Sequence, residues 1–161
     1  VGFNSGPPFE PNLYNNNVQV IQSKDTAVIM TEMIHDARIV PLDNRPVLND
    51  DIRLWTGDSR GYWEGDTLVV ETKNFNSLTQ SFSVYGSAEN KLLTERFTRT
   101  GPFTMEYEYT VEDASTFVDK IQVMTVMSKV DGQLYEYACH EGNYGMVNIL
   151  RGERMAEARE S

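Results

Sequence analysis

The sequence predicts a mainly β domain: an antiparallel meander that forms a curled sheet or a small lipocalin-like barrel, followed by a C-terminal helix. From Val18 onward, short apolar or alternating runs are separated by turn residues, which is typical of consecutive hairpins. Little helical periodicity lies between these runs, so parallel βαβ units are excluded. A sheet that curls on itself also avoids long exposed edges, which favours a barrel-like arrangement.

Each predicted hairpin has its own turn signal. The turns are expected at Asp25–Thr26, Gly65–Asp66, Gly101–Pro102 and Asp131–Gly132, because glycine, proline and aspartate favour tight connections between strands. In "TMEYEYTV" the period of two places Met105, Tyr107, Tyr109 and Val111 on one face. Residues 42–61 are too long and polar for a hairpin loop, and we expect a short helical turn there.

The two ends of the chain differ from this pattern. Residues 1–17, "VGFNSGPPFEPNLYNNN", are rich in Gly, Pro and Asn and predict an extended N-terminal arm before a single β-rich domain over 18–161. We expect the arm to lie against the domain or against another copy, so self-association through it is a predicted interaction. Near the C-terminus, Met146, Ile149 and Leu150 share one face of a predicted helix that packs on the sheet or on a barrel mouth.

Composition limits the partners of the protein. Its 161 residues are 40% hydrophobic and 24% charged, as expected for one globular domain with a single core. The 14 Lys and Arg against 24 Asp and Glu give a formal net charge of −10, which repels nucleic acids and anionic bilayers. We therefore expect neither nucleic acid nor a membrane as partner. The only cysteine, Cys139, cannot form an internal disulfide.

The segment "TEMIHDARIVPL" carries charged residues within an apparently apolar strand. Read as one strand, it places Glu32, Asp36 and Arg38 on one face and His35 on the other. Charged side chains are usually exposed or paired, so a salt-bridged interior or a solvated face is one interpretation. The other is a polar cavity in which Glu32, His35 and Asp36 are catalytic and Arg38 binds ligand, with desolvation and neighbouring charges adjusting their pKa values.

A second candidate is "YEYACHEGNYG", residues 135–145, which we interpret as the end of a strand. There His140 and Glu141 are predicted catalytic residues at a barrel rim, and Tyr137 is a predicted ligand-binding residue. His140 is the expected proton carrier, because the unperturbed pKa of histidine is about 6.5. We expect both histidines to share one pocket with Glu32 or Asp36. Cys139 is interpreted as a small buried hydrophobe.

Other motifs carry weaker signals. "GDSRG" matches G-x-S-x-G around Ser59, but a nucleophile elbow needs a preceding strand and a following helix, and the sequence after it is typical of a strand. Trp55 and Trp63 are core residues or a stacking platform for a sugar; we predict ligand binding. No metal-ligand spacing is present, and no metal or cofactor is expected.

Several stretches together resemble a family of known sequences. At "YNNNVQVIQ", "EMIHDARIVPLDNRP", "GDSRGYWEGDTLVVETKNF", "ENKLLTERFTR" and "YEYACHEGNYG", the chain resembles a large family of uncharacterised secreted bacterial proteins. The resemblance implies a periplasmic or extracellular location, and implies that this chain is the C-terminal portion of a longer exported protein. It carries no established activity, so it assigns no catalytic residue.

Two classes of function follow from these observations. The first is a secreted acid–base hydrolase or lyase that acts on a small polar or carbohydrate-like molecule. The second is a non-catalytic β domain that binds a ligand or assembles with copies of itself. A polar cavity that contains a histidine and carboxylates would favour the enzyme.

Overall fold

The computed structural model describes residues 6–11, 15–137 and 144–160. These residues form ten strands, one short 3₁₀ helix (Ala88–Asn90) and one α-helix. The elements are β1 (Val18–Gln22), β2 (Thr26–Thr31), β3 (Ala37–Pro41), β4 (Asp58–Glu64), β5 (Thr67–Lys73), β6 (Gln80–Phe82), β7 (Tyr85–Ser87), β8 (Leu92–Arg99), β9 (Thr104–Glu112), β10 (Ile121–Ser128) and α1 (Gly145–Glu160). The mainly β class with a C-terminal helix is confirmed.

The strands form three antiparallel sheets. Their orders are β1-β2-β3, β10-β9-β8-β5-β4 and the small β6-β7 hairpin. Strand β3 lies beside β4 without a ladder. A Cβ placed on Gly61 would approach Val40 Cγ1 to 2.8 Å and Leu42 Cδ2 to 2.7 Å, so any other residue would force these side chains to move. The last strand of the first sheet, β3, therefore lies next to the end strand of the second sheet, β4, which also follows it in the chain. Among the described residues, β1 does not pair with β10, and no barrel is closed.

The core lies between the two larger sheets and is built from alternating positions. β2 and β3 contribute Ala27, Ile29 and Val40, and β5, β8 and β9 contribute Leu68, Val70, Leu93, Phe97, Tyr107, Tyr109 and Val111. Because side chains of a strand point alternately to its two faces, one inward-facing set per strand fills this interior. The predicted inward face of β9 is confirmed by the burial of Tyr107, Tyr109 and Val111 and by the packing of Met105 against the core.

Three of the predicted turns are present. Ser23–Asp25 joins β1 to β2, and residues 100–103 join β8 to β9. Gly65 opens the two-residue loop between β4 and β5 with a φ of +59°, a conformation that glycine adopts without strain.

The segment "TEMIHDARIV" is not one strand, and this prediction was wrong. β2 ends at Thr31, β3 begins at Ala37, and Ile34 and His35 turn the chain with φ values of 64° and 55°. The Thr31 N–H donates to the Asp36 carbonyl at 2.9 Å and closes the turn. The face predicted for Glu32, Asp36 and Arg38 therefore does not exist, because the chain reverses between them.

Two other predictions were also wrong. β10 ends at Ser128, and residues 129–136 form no strand, so Asp131–Gly132 does not join a hairpin. Instead, Tyr137 forms a single parallel bridge with Met33. Residues 42–57 form no helix and contain isolated turns, such as the one in which the Ile52 N–H donates to the Asn49 carbonyl at 2.9 Å.

The helix α1 does not pack as predicted. Every described side chain from residue 144 to 159 is exposed, including Met146, Ile149 and Leu150, so within the described residues the helix is covered by neither the sheet nor a barrel mouth. No helix in the described part of the chain is long and apolar enough to cross a lipid bilayer.

Candidate functional site

A groove of about 1030 Å³ opens where the first and last strands of the two larger sheets approach one another. Residues 15–20, which include the start of β1, and residues 125–130 at the end of β10 contribute to its walls. The arm supplies Phe9, Glu10 and Pro11, and the β8–β9 turn supplies Pro102 and Phe103. The groove therefore lies where β1 and β10, among the described residues, do not pair with each other.

Most polar groups in this groove are neutral. Asn15, Asn17, Gln19 and Gln133 present amides, and Thr31, Thr104, Thr125 and Ser128 present hydroxyls. Phe103, which is 64% exposed, and Val126 add apolar surface. The lining therefore combines polar and apolar surface in similar measure, and in ligand sites such polar groups fix the orientation of the ligand.

Two cations lie at the β8–β9 end of the groove. Arg99 donates from Nε to the Gly101 carbonyl at 3.2 Å and from Nη2 to the Pro102 carbonyl at 2.9 Å. Among the described residues Arg99 forms no ion pair, so its charge is held in place but not neutralised. Lys129 Nζ lies 5.7 Å from the centre of the Phe103 ring and 3.6 Å from Asp131 Oδ1.

Glu10 is the carboxylate that the arm brings to the groove lining. Burial raises its pKa, and the charge of Lys91 partly opposes that shift. A carboxyl group whose ionisation is made harder by burial in a cleft has the environment of a general acid. Glu10 is the one carboxylate among the described lining residues of the groove, and its pKa is raised.

Beneath the arm lies a buried ion pair between β3 and β8. Arg38 Nη2 donates to Glu95 Oε1 at 3.0 Å, and Arg38 Nη1 donates to Glu95 Oε2. The Tyr107 hydroxyl donates to Glu95 Oε1 at 2.8 Å and accepts the Phe9 N–H at 3.1 Å. Burial, and then the Glu95 charge, raise the pKa of Tyr107 well above its usual range. The arm is therefore hydrogen-bonded to a fully partnered charge network.

Two hydroxyls extend this network toward β4. Arg38 Nη1 lies 3.4 Å from Thr72 Oγ1, which is 2.9 Å from Ser59 Oγ. Both hydroxyls are buried and hydrogen-bonded. Ser59 is therefore a buried strand residue whose hydroxyl is hydrogen-bonded within the protein. This agrees with the sequence, which does not support a nucleophile elbow at Ser59.

Lys91 is a second buried cation below the arm. Its Nζ lies 4.0 Å from the centre of the Phe75 ring, 3.5 Å from the Pro7 carbonyl and 3.4 Å from the Gln80 carbonyl. It forms no ion pair with the residues that the structure describes. Burial lowers the pKa of Lys91 to about 8, because removing an ammonium group from water disfavours its charged form.

This pKa predicts that the protein becomes more stable as the solution becomes alkaline. Lysine in an unfolded chain titrates near 10.5, so between pH 8 and that value the unfolded state holds more protons and stability rises with pH. From about pH 7.5 to about pH 9.5 we expect Lys91 to add about 2 kcal/mol to the free energy of unfolding. Urea denaturation across this range measures it. Lys91→Met should remove that rise, and an identical pH profile in this variant would contradict the prediction.

Three of the five catalytic residues predicted from sequence, Glu32, His35 and Asp36, lie at or beside the β2–β3 turn. Of these three, only Asp36 lines a cavity, and its volume is about 10 Å³. Glu32 Oε2 accepts from Asn17 Nδ2 at 2.8 Å, and the Glu32 carbonyl accepts from the Tyr137 N–H at 3.4 Å. His35 is exposed within the turn, and exposed Asp36 accepts the Ala37 N–H at 2.9 Å. His140 and Glu141 lie outside the described residues, so a pocket shared with them stays a prediction.

The ligand-binding residues predicted from sequence are separated. Arg38 is held by Glu95, and beside it lies a cavity of only about 10 Å³, enough for about one water molecule. Trp55 precedes the start of β4 and Trp63 lies near its end; the strand from Asp58 to Trp63 alone spans about 17 Å. Both tryptophans are exposed, and neither lines the groove. Tyr137 lies beside Glu32.

Sequence reasoning missed Glu10, Lys91, Glu95 and the groove residue Phe103. One signal was available in "LLTERFTR", where the alternation places Glu95 on the same face as Leu93 and Phe97. A carboxylate on an otherwise apolar face indicates that it is paired with a buried cation. Nothing in the sequence places the arm beside β9, because the Phe9–Tyr107 contact joins residues 98 positions apart.

Within the described residues, no group of three or more His, Cys, Asp or Glu side chains could hold a metal ion. Comparison of the chain with protein-family models, with curated proteins and with solved structures found no match. Function is therefore inferred from the geometry of the site.

Proposed function

We propose that the protein is a non-catalytic ligand-binding β domain whose site is the groove between β1 and β10. The observation that carries this proposal is the volume of the groove, about 1030 Å³, at the upper end of the range of about 300–1,000 Å³ for ligand sites. The neutral amides and hydroxyls of its walls can hydrogen-bond a polar ligand, and the exposed Phe103 ring can cover an apolar face of that ligand.

The shape of the sheet supports an elongated ligand. The opening between β1 and β10 runs along two strands, so an elongated ligand can enter it from the side. In a closed lipocalin-like barrel a ligand would instead enter through the mouth, and such a closed barrel stays a prediction. The ligand class expected from sequence, a polar or carbohydrate-like molecule, is compatible with a lining of Asn, Gln, Ser and Thr. A periplasmic or extracellular location is part of the proposal and rests on the family resemblance.

The acid–base enzyme remains the second candidate. Its expected proton carriers, His140 and Glu141, lie outside the described residues, and His35 and Asp36 lie on an exposed turn. One observation favours chemistry in the groove itself, namely the raised pKa of Glu10. A single acid without a described base partner supports binding of a ligand better than its conversion.

The proposal predicts that Phe103→Ala weakens ligand binding. We expect a loss of affinity of about threefold to tenfold, because an aromatic contact contributes about 0.5–1.5 kcal/mol beyond its area. Binding of fluorescent oligosaccharides and peptides to the chain, followed by anisotropy, measures the change. Tyr85→Ala is the matched control, since Tyr85 is 63% exposed on β7 and Phe103 is 64% exposed, and only Phe103 lines the groove.

Two results would contradict the proposed function. One is that no oligosaccharide or peptide binds the intact chain. The other is that Phe103→Ala and Tyr85→Ala weaken binding to the same extent, which would place the ligand outside the groove.

A further inference from the structure

We propose that the ligand of this groove is an extended, acidic segment of polypeptide that adds to the sheet as a strand along β1 or β10. This inference rests on the proposed function, because it takes the groove as the binding site. It names the class of ligand and the contacts that select it.

The first support is that the groove lies along two sheet edges. β1 pairs only with β2, and β10 pairs only with β9, among the described residues. An edge strand leaves alternate N–H and C=O groups unpaired on its outer side. The eight residues of β10, Ile121–Ser128, provide such an edge over about 24 Å. A second strand satisfies these groups with the same spacing, which the hydroxyls of a sugar do not reproduce.

The second support is the sign of the charges. The whole chain has a formal net charge of −10, yet two of the three charged side chains in the groove are the cations Arg99 and Lys129, the third being Glu10. Arg99 forms no ion pair within the described residues, whereas Lys129 lies 3.6 Å from the exposed Asp131, so the unneutralised positive charge is mainly that of Arg99. A peptide that carries carboxylates would therefore be attracted to the β8–β9 end of the groove although the rest of the protein repels it.

The third support is the alternation of side chains along β10. Its residues alternate between half-buried and exposed positions, and Met124 and Val126 are exposed on the face away from the core. Val126 also lines the groove. An added strand with apolar residues at every second position would cover these side chains while its main chain pairs with the edge.

The protein contains a sequence that makes a suitable probe. Strand β9, Thr104–Glu112, has three glutamates and an alternating pattern, and it already pairs with the other edge of β10 over the full length of β10. A capped synthetic peptide of the same sequence, TMEYEYTVE, is therefore an acidic strand that matches β10 in length.

The experiment measures binding of this labelled peptide to the intact chain at low salt by anisotropy, and hydrogen exchange of the chain with and without it. We expect saturable binding and slower exchange of amides in β1 or β10. A peptide that carries N-methyl groups on backbone nitrogens of both its edges cannot pair through either edge, and it should bind at least tenfold more weakly. A peptide with glutamine in place of its three glutamates should also bind more weakly, with less dependence on salt.

Charge reversal in the protein completes the test. Arg99→Glu should weaken binding of the acidic peptide about threefold to tenfold, whereas the control Arg151→Glu, an equal charge change on the exposed helix α1, should leave it nearly unchanged. Equal binding of the backbone-methylated peptide would overturn strand addition.

The failures of the two proposals are distinguishable. If oligosaccharides bind in a manner that depends on Phe103 while the unmethylated peptide does not bind, the groove is a ligand site and strand addition is overturned. If no oligosaccharide and no peptide binds, the proposed function fails together with this inference.

Discussion

Glu95→Gln is expected to lower the free energy of unfolding by about 3–5 kcal/mol. The side chain of Glu95 is fully buried and that of Arg38 is 7% exposed, so the substitution leaves a guanidinium charge in the interior without its carboxylate. Tyr107 would also lose the charged acceptor of its hydroxyl. Guanidinium chloride denaturation, followed by tryptophan fluorescence, measures the change.

Two controls separate this buried pair from an ordinary salt bridge. Glu64→Gln breaks the exposed pair between Glu64 and Arg96 and should change stability by less than about 1 kcal/mol. The double variant Arg38→Met with Glu95→Leu should recover most of the loss, because apolar replacement of a buried pair is often neutral. A Glu95→Gln protein that is as stable as the wild type would show that the pair does not hold the two sheets together.

Phe9→Ala is the second large effect, with an expected loss of about 3–4 kcal/mol. The Phe9 ring is 8% exposed and lies 5.6 Å from the ring centre of Tyr107, and Arg38 Cζ lies 5.7 Å from the Phe9 ring centre. Its removal leaves a cavity and admits water to the charge network. Thermal unfolding measures the loss, and hydrogen exchange should show faster exchange in β8 and β9.

Phe103→Ala is the matched control for this prediction. It makes the same chemical change at an exposed position, where surface substitutions usually alter stability by less than about 0.5 kcal/mol. If Phe9→Ala were no more destabilising than Phe103→Ala, the arm would not be an integral part of the core.

The β class was predictable because local patterns and tertiary structure agree in the strands. In β9 the period of two identifies the inward face, and Gly65 marks a real turn. The β2–β3 turn was not predictable, since Ile34 and His35 turn the chain at positive φ without the glycine, asparagine or proline that usually indicates such a turn. An apolar pattern that continues through a turn is indistinguishable from one strand.

The site was less predictable than the fold because it is made by distant contacts. The sequence identified Arg38 as a charged side chain in an apolar segment, which is expected to be exposed or paired. Its partner could not be predicted, because Glu95 lies 57 positions away. Asp131–Gly132 is a strong local hairpin signal, yet no strand in the described part of the chain follows β10 and pairs with it. The groove lies where β1 and β10 do not pair within the described residues, and no local pattern encodes that arrangement.

The contacts of the arm also set an order for the assembly of the protein. The Phe9–Tyr107 hydrogen bond spans 98 positions and the Lys91–Pro7 contact spans 84. At synthesis rates of about 5–20 residues per second, Phe9 is added to the chain about 5–20 s before Tyr107. Contacts of such long range also form slowly. The described segment that is synthesised first therefore cannot make both of these contacts until β9 has been synthesised, and its Pro-Pro-Phe sequence has no packing partner there before that point.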